Sequence, residues 1–166
     1  MDLYLVRHGI AVERSDPNCP DEADRFLTKE GIAKTREVAQ GICSLGIAPS
    51  RFLSSPFVRA LQTAQIFAEV FGSAKETILQ TEALLPGADP SAALAELQKL
   101  KKARSVFCFG HAPHLDELLA RALDLPAPIT ALKKSGVACL EMGSVSPPSG
   151  RLLWVCPPKI LRAIRG

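Results

Sequence analysis

Three short, almost wholly apolar runs are separated by stretches of helical periodicity, and that alternation limits how the chain can fold more than any other feature. "DLYLVRHG" near the start, "RFLSS" at 51–55 and "SVFCFGH" at 105–111 each read as a short buried strand. Between the first two, Ile32, Ala39, Ile42 and Cys43 recur at helical spacing, with Thr28 as N-cap and Gly46 as the stop. Phe57, Ala60, Leu61, Ala64, Phe67, Ala68 and Phe71 make a second apolar stripe, closed by Gly72. Ser55 is its expected cap and Pro56 its first helical residue. "TILQTEALLPGAD" reads as a strand and a turn. Asp89 and Pro90 then open a third helix that carries Leu94, Leu97 and Leu100 and ends on the basic run "KLKKAR", as the helix dipole favours. Leu115, Leu118, Leu119 and Ala122 mark a fourth helix. "VACLEM" and "RLLWVC" read as a late hairpin-like pair across "GSVSPPSG". The alternation predicts a three-layer α/β/α sandwich around a mostly parallel central sheet, built as one domain over 1–166.

In such sheets ligands bind beyond the carboxyl ends of the strands. The polar groups of this chain gather there. The first strand delivers Arg7 and His8, the second leads through "SSPFVR" to Arg59, and the third delivers Gly110 and His111. Helical side chains lean toward the N-terminus, so Arg59 is expected to point back at the strand ends. Arginine forks match phosphate oxygens with paired hydrogen bonds, and the helix N-termini after Pro56 and Pro113 offer further N–H donors. A histidine kept neutral among such groups can act as a nucleophile on phosphorus, and a second can donate to a developing oxyanion.

Net charge is +3, with 47% hydrophobic and 22% charged residues. That balance argues for a soluble domain, with no nucleic acid and no membrane as partner. The five cysteines are odd in number and form no CxxC pair, which suits reduced thiols. With no signal-peptide pattern in the sequence, the expected location is cytoplasmic.

"VRHG", "SPFVRALQT" and "FGHAPH" together resemble the histidine phosphatase, or phosphoglycerate mutase-like, superfamily, in order and spacing over nearly the whole chain. The short length, the "RHGIA" opening and the compact middle are similar to SixA-like phosphohistidine phosphatases. The resemblance implies that His8 accepts the phosphoryl group, that Arg7 and Arg59 bind its oxygens, and that His111 stabilises the charge in transfer. Water then releases phosphate, without metal or cofactor. Ser55 is a helix cap and a secondary phosphate donor. Glu82 is the best candidate for the carboxylate that protonates a leaving oxygen; a substrate contact or a surface group are its other readings. The expected substrate is a phosphohistidine-bearing protein, with a small phosphomonoester as the alternative and a non-catalytic phosphate-binding or interaction domain as the reading of another class. A mutase is disfavoured, because no bulky insertion is available to enclose a bisphosphate.

Three features invite other readings. His111 and His114 form HxxH, which His8 would complete as a three-histidine zinc site, but two arginines beside a cation oppose it. Lys133 and Lys134 read as a solvated loop or as contacts to an anionic substrate. "CPDEADR" at 19–25 has the spacing of a cysteine phosphatase loop, yet Asp21, Glu22 and Asp24 would repel phosphate and raise the thiol pKa. It is read as a surface loop that walls the cleft.

Overall fold

The structure, a computed structural model, describes residues 1–164. Six strands form one sheet: β1 (Asp2–Arg7), β2 (Arg51–Ser54), β3 (Ile78–Gln80), β4 (Ser105–Gly110), β5 (Val137–Val145) and β6 (Pro148–Cys156). Their order is β3-β2-β4-β1-β5-β6. The β3–β2, β2–β4 and β4–β1 pairings are parallel, and β5 and β6 join antiparallel. The helices are α1 (Lys29–Ser44), α2 (Val58–Val70), α3 (Pro90–Lys99), α4 (His114–Ala122) and α5 (Pro158–Ile164).

The strand period of two sorts side chains onto two cores. Leu3, Leu5, Val106 and Cys108 face one side and pack with Leu94 and Leu97 of α3 and Leu115, Leu118 and Leu119 of α4. Tyr4, Val6, Phe107 and Phe109 face the other and pack with Val38 and Ile42 of α1, Phe67 of α2 and Leu161 of α5. Both faces are therefore covered, which is why the β1 and β4 runs show no polar alternation. The expected α/β/α layering and mostly parallel sheet are what the chain forms.

Three expectations need correction. α2 begins at Val58 rather than Pro56, and its N-cap position is Phe57, with no side-chain cap. A residue before proline avoids the helical region, so Ser55 instead extends the β2 ladder, its N–H bonded to Phe109 O at 2.9 Å. The late hairpin is longer than expected, each strand having nine residues. β6 alternates half-buried and exposed positions along its whole length, as an edge strand with one wet face does. α5 was not anticipated, because its seven residues bury only Leu161 and give no periodicity to read. All five cysteines are free. No described helix is long and apolar enough to cross a membrane.

Candidate active site

The parallel register of β1 and β4 sets Arg7 opposite Gly110. His8 and His111 therefore leave the sheet side by side, the rings 5.1 Å apart, and His8 N–H bonds Gly110 O at 3.0 Å. β2 lies on the other flank of β4, so α2 starts over the same edge. Its second residue, Arg59, turns back and donates from Nε to His8 Nε2 at 3.3 Å. Arg7, His8, Arg59 and His111 line one cavity of about 500 Å³.

His8 is fixed in one tautomer. Its Nδ1 lies 2.7 Å from Gly9 O, which can only accept, so the proton sits on Nδ1. A neutral ring then presents the Nε2 lone pair to the cavity. Burial pushes the imidazole pKa down to about 3, the Gly9 contact opposes this, and Arg59 and Arg7 add to it. Burial outweighs the arginines that the sequence suggested as the cause.

His111 is buried and its pKa is pushed down to about 2 by desolvation, then by His8 and Arg59. Its Nε2 is 2.9 Å from Ser55 Oγ. Ser55 Oγ also accepts from Phe57 N–H at 3.3 Å, and with a second lone pair and its own hydrogen it can serve either tautomer of His111. His111 Nδ1 is buried and has no partner. Ser55 is thus a partner of His111, not the cap of α2. Phe57 packs against both His111 and the Arg59 guanidinium.

The arginines are anchored differently. Arg7 donates from Nη1 to Leu132 O at 2.7 Å, and that loop is tied by Asp116 Oδ1, which accepts from Thr130 Oγ1 at 2.6 Å and Leu132 N–H at 3.0 Å. Arg59 donates to the carbonyl of Glu22 at 2.7 Å and to its carboxylate at 2.8 Å. Burial lowers both arginine pKa values. The first N–H of α2, on Val58, is taken by Ala23 O, so it is not a free anion donor.

The 19–25 loop does wall the cleft, but its charge works differently from the expectation of simple repulsion. The Glu22 carboxylate bonds Arg14, Arg25 and Arg59. Those hydrogen bonds, Arg14's the largest, hold its pKa at about 2. Cys19 is half-buried, donates to Pro20 O, and does not line the cavity.

The structure does not bring Glu82 to the site. It is exposed and opens a 3-10 turn, Glu82–Leu84, capped by Thr81, in which Leu84 rather than Glu82 turns inward. That segment reaches the cavity only through Pro86. His114 is fully buried on α4 with neither ring nitrogen partnered, and it does not line the cavity. Among the described residues no three His, Cys, Asp or Glu side chains are placed to hold a metal, so the three-histidine zinc arrangement is not formed. Lys134 lines the cavity and pairs with Glu13 at 3.0 Å, whereas Lys133 is exposed beside it.

Sequence reasoning missed Arg14 as a cavity residue, and it saw the loop of Glu22 and Arg25 as a wall of the cleft without pairing either with Arg59 or Arg14. Arg25 carried one signal: a cation directly before "FLT" that ends up only 8% exposed, its fork on Val12 O and Glu22.

Residues 3–84 match the histidine phosphatase superfamily, branch 1. An uncharacterized protein of Picosynechococcus sp. is 35% identical over 147 residues, 87% of each chain. The protein histidine phosphatase SixA, solved in complex with tungstate, superposes with a TM-score of 0.86 at 25% identity, over 97% of this chain and 99% of that one. A phosphoserine phosphatase variant of Entamoeba histolytica, bound to phosphoserine, shares the fold with a TM-score of 0.73 at 18% identity, over 95% of this chain and 98% of that one. The chain belongs to the histidine phosphatase superfamily and is a phosphatase of that superfamily.

Proposed function

We propose that this phosphatase works through a covalent phosphohistidine on His8 and that its substrate is a phosphohistidine carried by another protein in the cytoplasm. The observation that carries the reading is the His8 Nε2 lone pair, unprotonated and held against the Arg59 guanidinium in a cavity rich in cations. Nε2 attacks phosphorus, and the bond to the leaving group breaks with its electron pair going to the leaving atom. Arg7 and Arg59 bind the phosphoryl oxygens, Arg59 exchanging the Glu22 carboxylate for phosphate. His111, in the same lining, donates a ring N–H to the charge that develops in transfer. Water then attacks the phosphorus on His8, inorganic phosphate leaves, and the Nε2 lone pair returns. The scheme uses no metal ion or cofactor.

The carboxylates favour a phosphoramidate over an ester. An alkoxide leaving group needs an acid within hydrogen-bond reach. Glu22 is held ionised at the arginines, Glu13 is paired with Lys134, and Glu82 stands outside the lining. The nitrogen of a phosphohistidine is protonated readily and needs no such group. The SixA likeness supports the same substrate, while the phosphoserine phosphatase fold supports the alternative of a small ester. The test is phosphate release from a phosphohistidine protein, phosphoserine and small esters. Wild type should turn over the first fastest, His8→Ala should lose activity on all, and Glu82→Gln should leave the first unchanged. Full turnover by His8→Ala, or ester hydrolysis that dominates and collapses in Glu82→Gln, overturns the reading. Binding of phosphate with no turnover of any compound would return the chain to a binding role.

A further inference from the structure

The catalytic cavity does not end at Arg7. A second open cavity of about 500 Å³ shares Arg7 and Lys134 as its wall, and no acidic side chain lines it. Its remaining cations come from three separate parts of the fold: Lys34 on α1, Lys133 on the loop before β5, and Lys159 and Arg162 on α5. Lys34, Lys134 and Arg162 are already compensated from outside the groove by Glu30, Glu13 and Glu37. Lys133 and Lys159 are exposed, and neither has an ion pair among the described residues. The Arg7 guanidinium stands between the two cavities, with Nη1 on Leu132 O and a buried, unpartnered Nε. The groove thus concentrates positive charge that is only partly neutralised among the described residues, next to the place where a phosphoryl group sits. Such a field draws anions and holds them weakly at each contact.

We propose that this groove is a second anion subsite, taking a carboxylate or phosphate group carried by the same substrate whose phosphoryl group is transferred to His8. The inference rests on the reading of His8 as phosphoryl acceptor. It names the substrate class more closely: a phosphoryl donor with an anionic neighbour, supplied either by acidic side chains flanking a phosphohistidine or by a second acidic group on a small ester. The solvated-loop reading of Lys133 and Lys134 gives way here to the anion-contact reading. α5 gains a role beyond covering α1, since it carries two of the cations.

The test compares matched ligands. Two phosphohistidine peptides of equal length differ in acidic or serine flanks; 3-phosphoglycerate and glycerol 3-phosphate differ by one carboxylate. Lys133→Ser/Lys159→Ser removes the two unpaired cations and leaves the catalytic cavity alone. In turnover, wild type should prefer the acidic member of at least one pair by about tenfold in kcat/KM. The double variant should lose that preference through KM while its kcat on the serine-flanked peptide stays unchanged. The same four ligands are also titrated calorimetrically against His8→Ala protein, with and without the two lysine substitutions. This arm reads the subsite without turnover, so discrimination of acidic ligands here beside a wild type that turns over none of them contradicts the catalytic reading and leaves the subsite standing. A preference confined to the peptides identifies an acidic protein segment, and one confined to the esters identifies a small substrate. No preference in either pair, or a preference that survives the lysine substitutions, overturns the proposal.

Discussion

At the scale of single residues, the chemistry turns on where one proton sits. Gly9 O holds it on His8 Nδ1, and burial keeps the ring neutral down to about pH 3. Nitrogen-15 NMR of the side chain should therefore show Nε2 unprotonated and no titration between pH 5 and 8. A His8 transition near the ordinary 6.5 would contradict this. Gly9 itself is required by space: a Cβ there would meet Thr35 Oγ1 at 2.4 Å, and Thr35 is tied to Ser135 at 2.9 Å. Gly9→Ala should cost about 1–3 kcal/mol in urea unfolding and weaken turnover by displacing His8; a second change, Thr35→Ala, should recover part of the stability. Arg7, His8, Arg59 and His111 were legible in the sequence because a strand end or a helix start fixes where each one points. Glu22, Arg25 and Arg14 were not, because their meeting depends on the path of a loop with no periodicity. The place of Glu82 was not legible for the same reason: a three-residue turn decides which of its side chains faces inward.

At the scale of elements, α4 does more than cover the sheet. Through Asp116 it fixes the 130–132 segment whose carbonyl anchors Arg7. Asp116 is a positioning residue, so its loss should be read at the phosphate as well as in stability. Asp116→Ala leaves the Leu132 N–H buried without a partner, at a cost of about 2–3 kcal/mol. It should also raise the inhibition constant of inorganic phosphate by about tenfold. Asp116→Asn, which keeps Oδ1, should restore most of that affinity. A fall in melting temperature with an unchanged inhibition constant in the cold would show a structural role alone. The layering and the mostly parallel sheet were readable from the alternation of β and α, but this tether was not. It joins residues 116 and 132 through a loop without pattern, and nothing in the sequence marks Asp116 as buried.

At the scale of the whole molecule, the site is a liability in acid. His8 and His111 stay neutral to about 3 and about 2 in the folded chain, and burial lowers the pKa of His114 as well. In the unfolded chain each takes its proton near 6.5. The unfolded state then binds more protons, so this stability is complete above pH 6.5 and drains as pH falls toward 3. His8 and His111 each contribute up to about 1.4 kcal/mol per pH unit in that window. Urea midpoints should drop steadily from pH 7 to pH 5; midpoints that do not move would contradict the burial of neutral rings. The fold tolerates this because two cores, one on each face of the sheet, carry its stability away from the strand ends. The central claim remains the covalent step at His8. Rapid quenching of wild-type protein with a phosphohistidine substrate, followed by alkaline mass spectrometry, should find one phosphoryl group on His8 Nε2, stable to base and labile to acid, and absent from His8→Ala. Turnover with no phosphoprotein at any quench time, or with the phosphoryl group on another residue, would contradict the account.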